Sequence, residues 1–302
     1  MRLTGLHLLL TYKCLFECDH CFAWGSPRQA GTMSLRQIED ILGQAAGLGT
    51  IEWIYFEGGE PFLFHAILQR SVQTAAAMGF KVGIVSNGYW AVTEDDATEW
   101  LRPVAGLLQD LAISTDRYHG ERDISEEAEN ARAAAASLGI PVAFISVAQP
   151  EETDAARVSG QLPHGTCGVM YRGRAASELV DRTGRRAWDE FTECPHEDLR
   201  DPGRVHVDPL GNMHLCQGIS VGNLFERPLA EICAEYDPDV DSVIGPLLGG
   251  GPAELVRRYD LEHEAGYADA CHLCDAARRL LRARFPEILT PDQAYGGLEQ
   301  EG

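Results

Sequence analysis

The stretch that most constrains this chain is Cys14-Leu15-Phe16-Glu17-Cys18-Asp19-His20-Cys21, three cysteines spaced C-x3-C-x2-C within eight residues. It directly follows the apolar run Leu3 to Leu10, which has the length of a strand and ends at the turn-prone Thr11-Tyr12-Lys13. Three thiolates from one short loop suit an iron–sulfur cluster, whose irons take soft sulfur ligands. A cube of four irons held by three cysteines leaves one iron open to another molecule, which points to chemistry rather than electron storage alone. The competing reading is a zinc knuckle or a chance group of buried cysteines. Structural zinc wants four ligands, usually as two separated pairs, and this loop offers three.

The chain after the loop alternates regularly. Ser34 followed by Gln37 is a capping-box pattern, and Leu35, Ile38, Ile41, Leu42, Ala45 and Ala46 recur at helical spacing until Gly47 and Gly49. Ile51 to Phe56 reads as a buried strand ending in Glu57-Gly58-Gly59-Glu60-Pro61, and His65 to Met78 as a helix. Strands are expected at Lys81 to Val85, Leu108 to Ile113 and Pro141 to Val147, with helices at Thr93 to Leu101 and Glu126 to Leu138 between them. Alternation of this kind argues for parallel strands joined by crossover helices, and an α/β, partial (β/α)6 TIM-like barrel is the natural solution. In such a barrel the active site lies at the C-terminal ends of the strands.

Composition narrows the function classes. A chain of 302 residues can bury a substantial core as a barrel plus a small appendage. No apolar run approaches the roughly 20 residues that a membrane span needs, and the N-terminus lacks a signal-peptide pattern. Nine cysteines, clustered rather than spread as pairs, read as metal ligands in a reducing, cytoplasmic compartment. The net charge of −21 disfavours nucleic acid and anionic membranes as partners and weakly favours a cationic substrate, although a solvated acidic surface accounts for most of it.

The C-x3-C-x2-C loop after a first strand, followed by aromatic Phe22, resembles the radical S-adenosylmethionine (SAM) enzymes, and Gly58-Gly59-Glu60-Pro61 after the second strand resembles their GGEP motif. The resemblance implies a [4Fe–4S] cluster on Cys14, Cys18 and Cys21, whose open iron binds SAM. One electron from the cluster would then cleave SAM to methionine and a 5′-deoxyadenosyl radical that abstracts a hydrogen atom. It also implies a flavodoxin- or ferredoxin-type electron donor. Gly58, Gly59, Glu60 and Pro61 are expected at the SAM site, with Glu60 accepting from the amine of SAM. Ser86, Asn87, Ser114 and Asp116, at the ends of the third and fourth strands, are expected near its ribose hydroxyls or carboxylate, although the same residue types also make ordinary strand-end turns. The polar segment from Pro150 to His164 reads as a loop with a short helix. Beyond it, Arg172 or Arg174 of the Gly173-Arg174-Ala175 turn is a candidate carboxylate ligand.

From Cys194 the composition changes. Val205 to Cys216 reads as a β-hairpin around Pro209-Leu210-Gly211-Asn212, a helix starts at Leu229, and Cys271-x2-Cys274 runs into a basic helix from Ala276 to Arg284. Cys194, Cys216, Cys271 and Cys274 together resemble the SPASM/twitch extension of radical SAM enzymes. No further cysteine follows Cys274, so the shorter twitch type, with one auxiliary [4Fe–4S] cluster, is favoured over the seven-cysteine SPASM form. Four cysteines would also satisfy a structural zinc ion. The expected organisation is a barrel over residues 1–185 and a small α+β cysteine-rich domain over residues 186–302.

The expected activity is oxidation of an unactivated C–H position, with the second electron passing to the auxiliary cluster. The substrate would be a small polar metabolite or a peptide residue. The first strand begins at about residue 3, with no evident leader-binding domain before it, which leans the reading to a small molecule. Rival readings are an epimerase, a peptide-modifying maturase forming thioethers or crosslinks, and a non-catalytic electron carrier. Cys167 and Cys233 are left over and read first as small buried hydrophobes. Cys167 is the candidate hydrogen donor for an epimerase, and Asp189, with Glu190, is the candidate base by location.

Overall fold

The computed structural model describes residues 1–159, 161–162 and 165–298. Five parallel strands, β1 (Gly5–Thr11), β2 (Trp53–Gly58), β3 (Lys81–Ser86), β4 (Leu108–Ser114) and β5 (Val142–Ile145), lie in the order β5-β4-β3-β2-β1. The crossovers are α1 (Leu35–Leu48), α2 (His65–Ala77), α3 (Glu94–Leu101) and α4 (Glu126–Ser137). α1, α3 and α4 each start at a side-chain cap. Ser34 and Gln37 close the capping box of α1, and the Thr93 and Ser125 side chains accept backbone N–H groups at α3 and α4.

The strands have two unlike faces. On β1, Leu6, Leu8 and Leu10 are fully buried in the core shared with the helices, together with Ile54 and Phe56 of β2. Burying each such side chain stabilises the fold by roughly 1.5–3 kcal/mol. The alternate positions His7, Tyr55, Glu57, Asp110 and Ser114 face the lumen of the partial barrel. The run that reads as uniformly apolar in sequence therefore carries one lumen-facing histidine.

The fifth strand is shorter than the expected span from Pro141 to Val147, and Val147 instead makes a single parallel bridge to Cys167. The polar segment after it forms α5 (Pro150–Ser159), and the remainder of that expected loop lies partly outside the described residues. The short α6 (Ala175–Glu178) follows, and β6 (Arg186–Ala187) later pairs with β10 (Gly266–Tyr267) in a two-stranded ribbon.

The C-terminal region continues the barrel's own sheet. β7 (Arg204–Val207) pairs parallel with β1, and β8 (Asn212–Cys216) and β9 (Ile219–Asn223) extend it antiparallel. The expected hairpin is thus a three-stranded meander. Then come α7 (Leu229–Glu235), α8 (Ile244–Tyr259) and α9 (Ala270–Leu281). α8 is interrupted at Gly250 and Gly251, before Pro252. α9 starts six residues before the expected Ala276, because the Asp269 side chain accepts from His272 N–H and caps it there. That cap brings Cys271 and Cys274 into the helix. No helix among the described residues is long and apolar enough to cross a membrane.

Candidate active site

The loop after β1 turns the three cysteine sulfurs towards a cavity of about 640 Å3 at the C-terminal ends of the strands. Two backbone amides and one side-chain amide point at these sulfurs: Phe16 N (3.4 Å) and Asn87 Nδ2 (3.5 Å) at Cys14 Sγ, and Gly25 N (3.3 Å) at Cys21 Sγ. Burial pushes the Cys14 thiol up to about 12, and burial raises Cys18 further still. Metal-free, both thiols hold their protons at neutral pH, so loading a metal there releases protons.

Two glycines let the neighbouring backbone close on this loop. A Cβ on Gly59 would sit 2.2 Å from Lys13 O, while Gly59 N donates to Thr11 O at 2.7 Å. Gly173 has φ +60°, and a Cβ there would lie 2.6 Å from Cys21 O and Phe22 Cα. That close approach seats Arg174 against the loop. Its guanidinium donates to Cys18 O (2.7 Å) and Gly25 O (2.8 Å) and lies over the Trp24 ring.

The expected ligand-binding residues divide into two groups. Gly58, Gly59, Ser86, Asn87, Ser114 and Cys167 line the cavity with the three cysteines. Glu60, Pro61, Asp116 and Arg174 do not. Glu60 is fully buried, and its carboxylate accepts from Phe62 N, Ser86 Oγ and Asn87 N at 2.8–3.0 Å, tying the β2 turn to the end of β3. Burial raises its pKa to about 7. Three of its roughly four acceptor positions are thus engaged within the fold. Asp116 likewise accepts from Tyr118 N, His119 Nδ1 and Val147 N. Burial alone would raise its pKa, but these bonds and the nearby histidines hold it below the ordinary value. Arg174 braces the loop carbonyls Cys18 O and Gly25 O. Asp189 is exposed on the turn Trp188–Glu190, outside the cavity lining.

Cys194, Cys216, Cys271 and Cys274 converge on a second, smaller pocket, walled by Leu199, Ile219, Leu247 and Pro252 and flanked by Arg172 and Arg278. The N–H groups of His196 and Glu197 face the Cys194 sulfur. Burial pushes Cys274 up to about 12, so this site too must lose protons to take a metal. Arg172 lines both the cavity and this pocket. Its Nη1 donates to Glu197 Oε1 (3.0 Å) and approaches Cys216 Sγ (3.8 Å), and its guanidinium lies over the Phe22 ring. The buried Nε of Arg172 has no protein partner. Cys233 is buried against the core.

Sequence reasoning missed His7, Tyr55, Glu57, Asp110 and His206 as cavity residues. Their signal is one polar residue at every second position of otherwise apolar strands, which marks a lumen face.

The geometry is that of a three-cysteine centre opening on a substrate-sized cavity in a parallel barrel. Residues 8–159 match the Radical SAM superfamily, and the chain belongs to that superfamily. Membership implies a [4Fe–4S] cluster and SAM, and Cys14, Cys18 and Cys21 fit the cluster by donor type and convergence. The chain is 30% identical over 111 residues to YydG of Bacillus subtilis, named for peptide biosynthesis, covering 36% of this chain and 35% of YydG. It is 34% identical over 83 residues to the S-adenosylmethionine-dependent nucleotide dehydratase of Selenomonas ruminantium, covering 28% of this chain and 29% of that protein. These matches span about a third of the length of either relative. SuiB of Streptococcus suis, bound to S-adenosylmethionine, shares the fold with a TM-score of 0.55 at 11% identity, over 81% of this chain and 68% of SuiB.

Proposed function

We propose that this protein is a radical SAM oxidoreductase with two clusters. The barrel, residues 1–185, would hold the catalytic [4Fe–4S] cluster on Cys14, Cys18 and Cys21. A twitch-type region, residues 186–302, would hold an auxiliary cluster on Cys194, Cys216, Cys271 and Cys274. The observation that carries this reading is Arg172, a single buried guanidinium forming the wall between the cavity and the four-cysteine pocket. A buried cation with an unpartnered N–H beside four cysteines suits an anionic cluster.

When bound, cluster and SAM supply a 5′-deoxyadenosyl radical for hydrogen abstraction. The chain's residues do the rest. Gly58 and Gly59 keep the β2 turn close to the cluster loop, and Asn87 and Ser114 offer donors and acceptors to the ligand. Arg174 and the Gly173 approach hold the loop's shape. Ala112, Val85, Ala143 and Ile145 give the cavity an apolar side that excludes water around the reacting carbon.

Oxidation of a C–H bond needs an exit for a second electron, and the pocket behind Arg172 offers one. The cavity falls within the roughly 300–1,000 Å3 typical of small-molecule sites. The likeness to YydG moves the balance between a small molecule and a peptide towards a peptide.

Anaerobic reconstitution followed by iron counting tests the two-cluster reading. About eight irons are expected, falling to about four in the Cys14/Cys18/Cys21→Ala variant. Four irons in the wild type, with zinc on the remaining cysteines, would return the second site to a structural role and remove the electron exit.

A second reading rests on Cys167, whose side chain lines the cavity beside Val147. Its thiol would return a hydrogen atom to the substrate radical, giving an epimer of the substrate and a thiyl radical that one electron from the flavodoxin- or ferredoxin-type donor and one proton from solvent would reset. Solvent deuterium in the product selects epimerisation, and a product two mass units lighter selects oxidation.

A further inference from the structure

We infer that His7, Glu57 and His206 form a binding site for one divalent transition-metal ion on the lumen wall, separate from both cysteine sites. The three residues stand on three adjacent parallel strands, β2, β1 and β7. In the sheet register His7 lies opposite His206, and Glu57 lies opposite Leu9, the next lumen-facing position of β1. Each presents one ligand atom, and the three atoms lie within 4.8 Å of one another.

Glu57 Oε1 is 3.1 Å from His7 Nδ1 and 3.1 Å from His206 Nε2. Neighbouring ligands on one ion with bonds of about 2.1 Å stand about 3 Å apart, so little movement would convert these contacts into coordination. Two imidazoles and a carboxylate suit zinc, manganese, iron or cobalt rather than calcium, and three protein ligands leave positions open to the lumen.

The surroundings prepare the set. Glu57 and His206 are both buried, and each is held in place by the contact with the other. The His7 ring is stacked by Tyr55 at 4.7 Å, and Tyr55 is anchored through its hydroxyl to Asp110 at 3.1 Å. Arg204, two residues before His206, has Glu197 as its own counter-charge at 3.7 Å.

Two other histidine–acid groups carry less. In the His20–Asp116–His119 group, backbone amides already engage the carboxylate, and the His196–Asp269–Cys271 group includes a residue of the four-cysteine pocket. An ion at the lumen site would offer its open positions to an oxygen or nitrogen lone pair of the molecule sharing the cavity. This holds whichever reaction the cavity performs.

The test is a manganese titration of the cluster-reconstituted wild-type protein, with Mn2+ alone as probe. Mn2+ prefers oxygen and nitrogen donors and so reports on this site rather than on the cysteines. Loss of the free-ion electron paramagnetic resonance signal is expected to reach one equivalent, with imidazole 14N modulation in the spin-echo spectrum. Glu57→Gln and His206→Gln, each checked for cooperative thermal unfolding, should weaken binding tenfold or more. Absence of bound Mn2+ at millimolar concentration, binding without imidazole modulation in the wild type, or unchanged binding in both variants would each overturn the proposal.

Discussion

Cys14, Cys18 and Cys21 come from one loop of eight residues, whereas Cys194, Cys216, Cys271 and Cys274 arrive from a loop, a strand end and the start of a helix. The first set faces a cavity of about 640 Å3; the second is closed in by Leu199, Ile219, Leu247 and Pro252. In both, burial holds thiols protonated until a metal displaces the protons. The difference lies in access. A centre open on one side can bind and activate a ligand, and a closed one is suited to pass charge. Arg172 is where the two environments meet.

The sharpest way to break this comparison is to remove one cysteine from each site. Cys18→Ala is expected to abolish 5′-deoxyadenosine formation, measured chromatographically under reducing conditions. Cys216→Ala is expected to keep SAM cleavage while losing turnover to product. Equal loss of cleavage in both variants would mean that the second site supports the first structurally.

Asp208 joins the two halves more directly. Fully buried, it accepts from Tyr12 Oη of the cluster loop and from Leu210 N, Asn212 N, Asn212 Nδ2 and His214 Nε2 at 2.9–3.1 Å. Burial alone would raise its pKa, but these bonds hold it below the ordinary 3.8. An acid held low contributes stability that is present above its unfolded pKa and lost as pH falls through the folded one. Asp208→Asn should therefore cost roughly 3 kcal/mol at pH 7, the scale of breaking a buried charged network. In urea unfolding the gap from wild type should narrow at pH values below the ordinary 3.8.

Gly59→Ala forces a methyl group against Lys13 O and is expected to destabilise by about 1–3 kcal/mol, read as a lower Tm. The same change should loosen the cluster loop, seen as faster iron loss to a chelator. The smallest effect is expected from Arg172→Met, which retains much of the side-chain volume and removes the cation near Cys216. The midpoint potential of the proposed auxiliary cluster should fall, because a neighbouring positive charge favours the more negative reduced state. An unchanged potential in a redox titration would detach Arg172 from that site.

Much of the barrel was legible because it is written in local patterns. The Ser34 and Gln37 capping box forms as read, and the five strands appear near their expected positions. Further along, locality fails. α8 was not among the elements expected from sequence, and its Gly250 and Gly251 leave helical geometry just before Pro252, kinking the segment. Asp269 caps α9 from a position where the basic run beginning at Ala276 drew attention downstream.

The site shows the same division. The C-x3-C-x2-C and Gly-Gly-Glu-Pro spacings determined the cluster loop and the turn beside it, because eight residues of backbone can aim three sulfurs without help from the rest of the chain. Only the tertiary structure decided that Glu60 and Asp116 turn inward to backbone and side-chain donors and that Arg174 braces the loop. It alone brought His7 and Glu57 beside His206, 199 and 149 residues away in sequence. Hydrogen-bond acceptors bind the donors that folding brings nearest, and in a parallel sheet those neighbours are set by strand order and register.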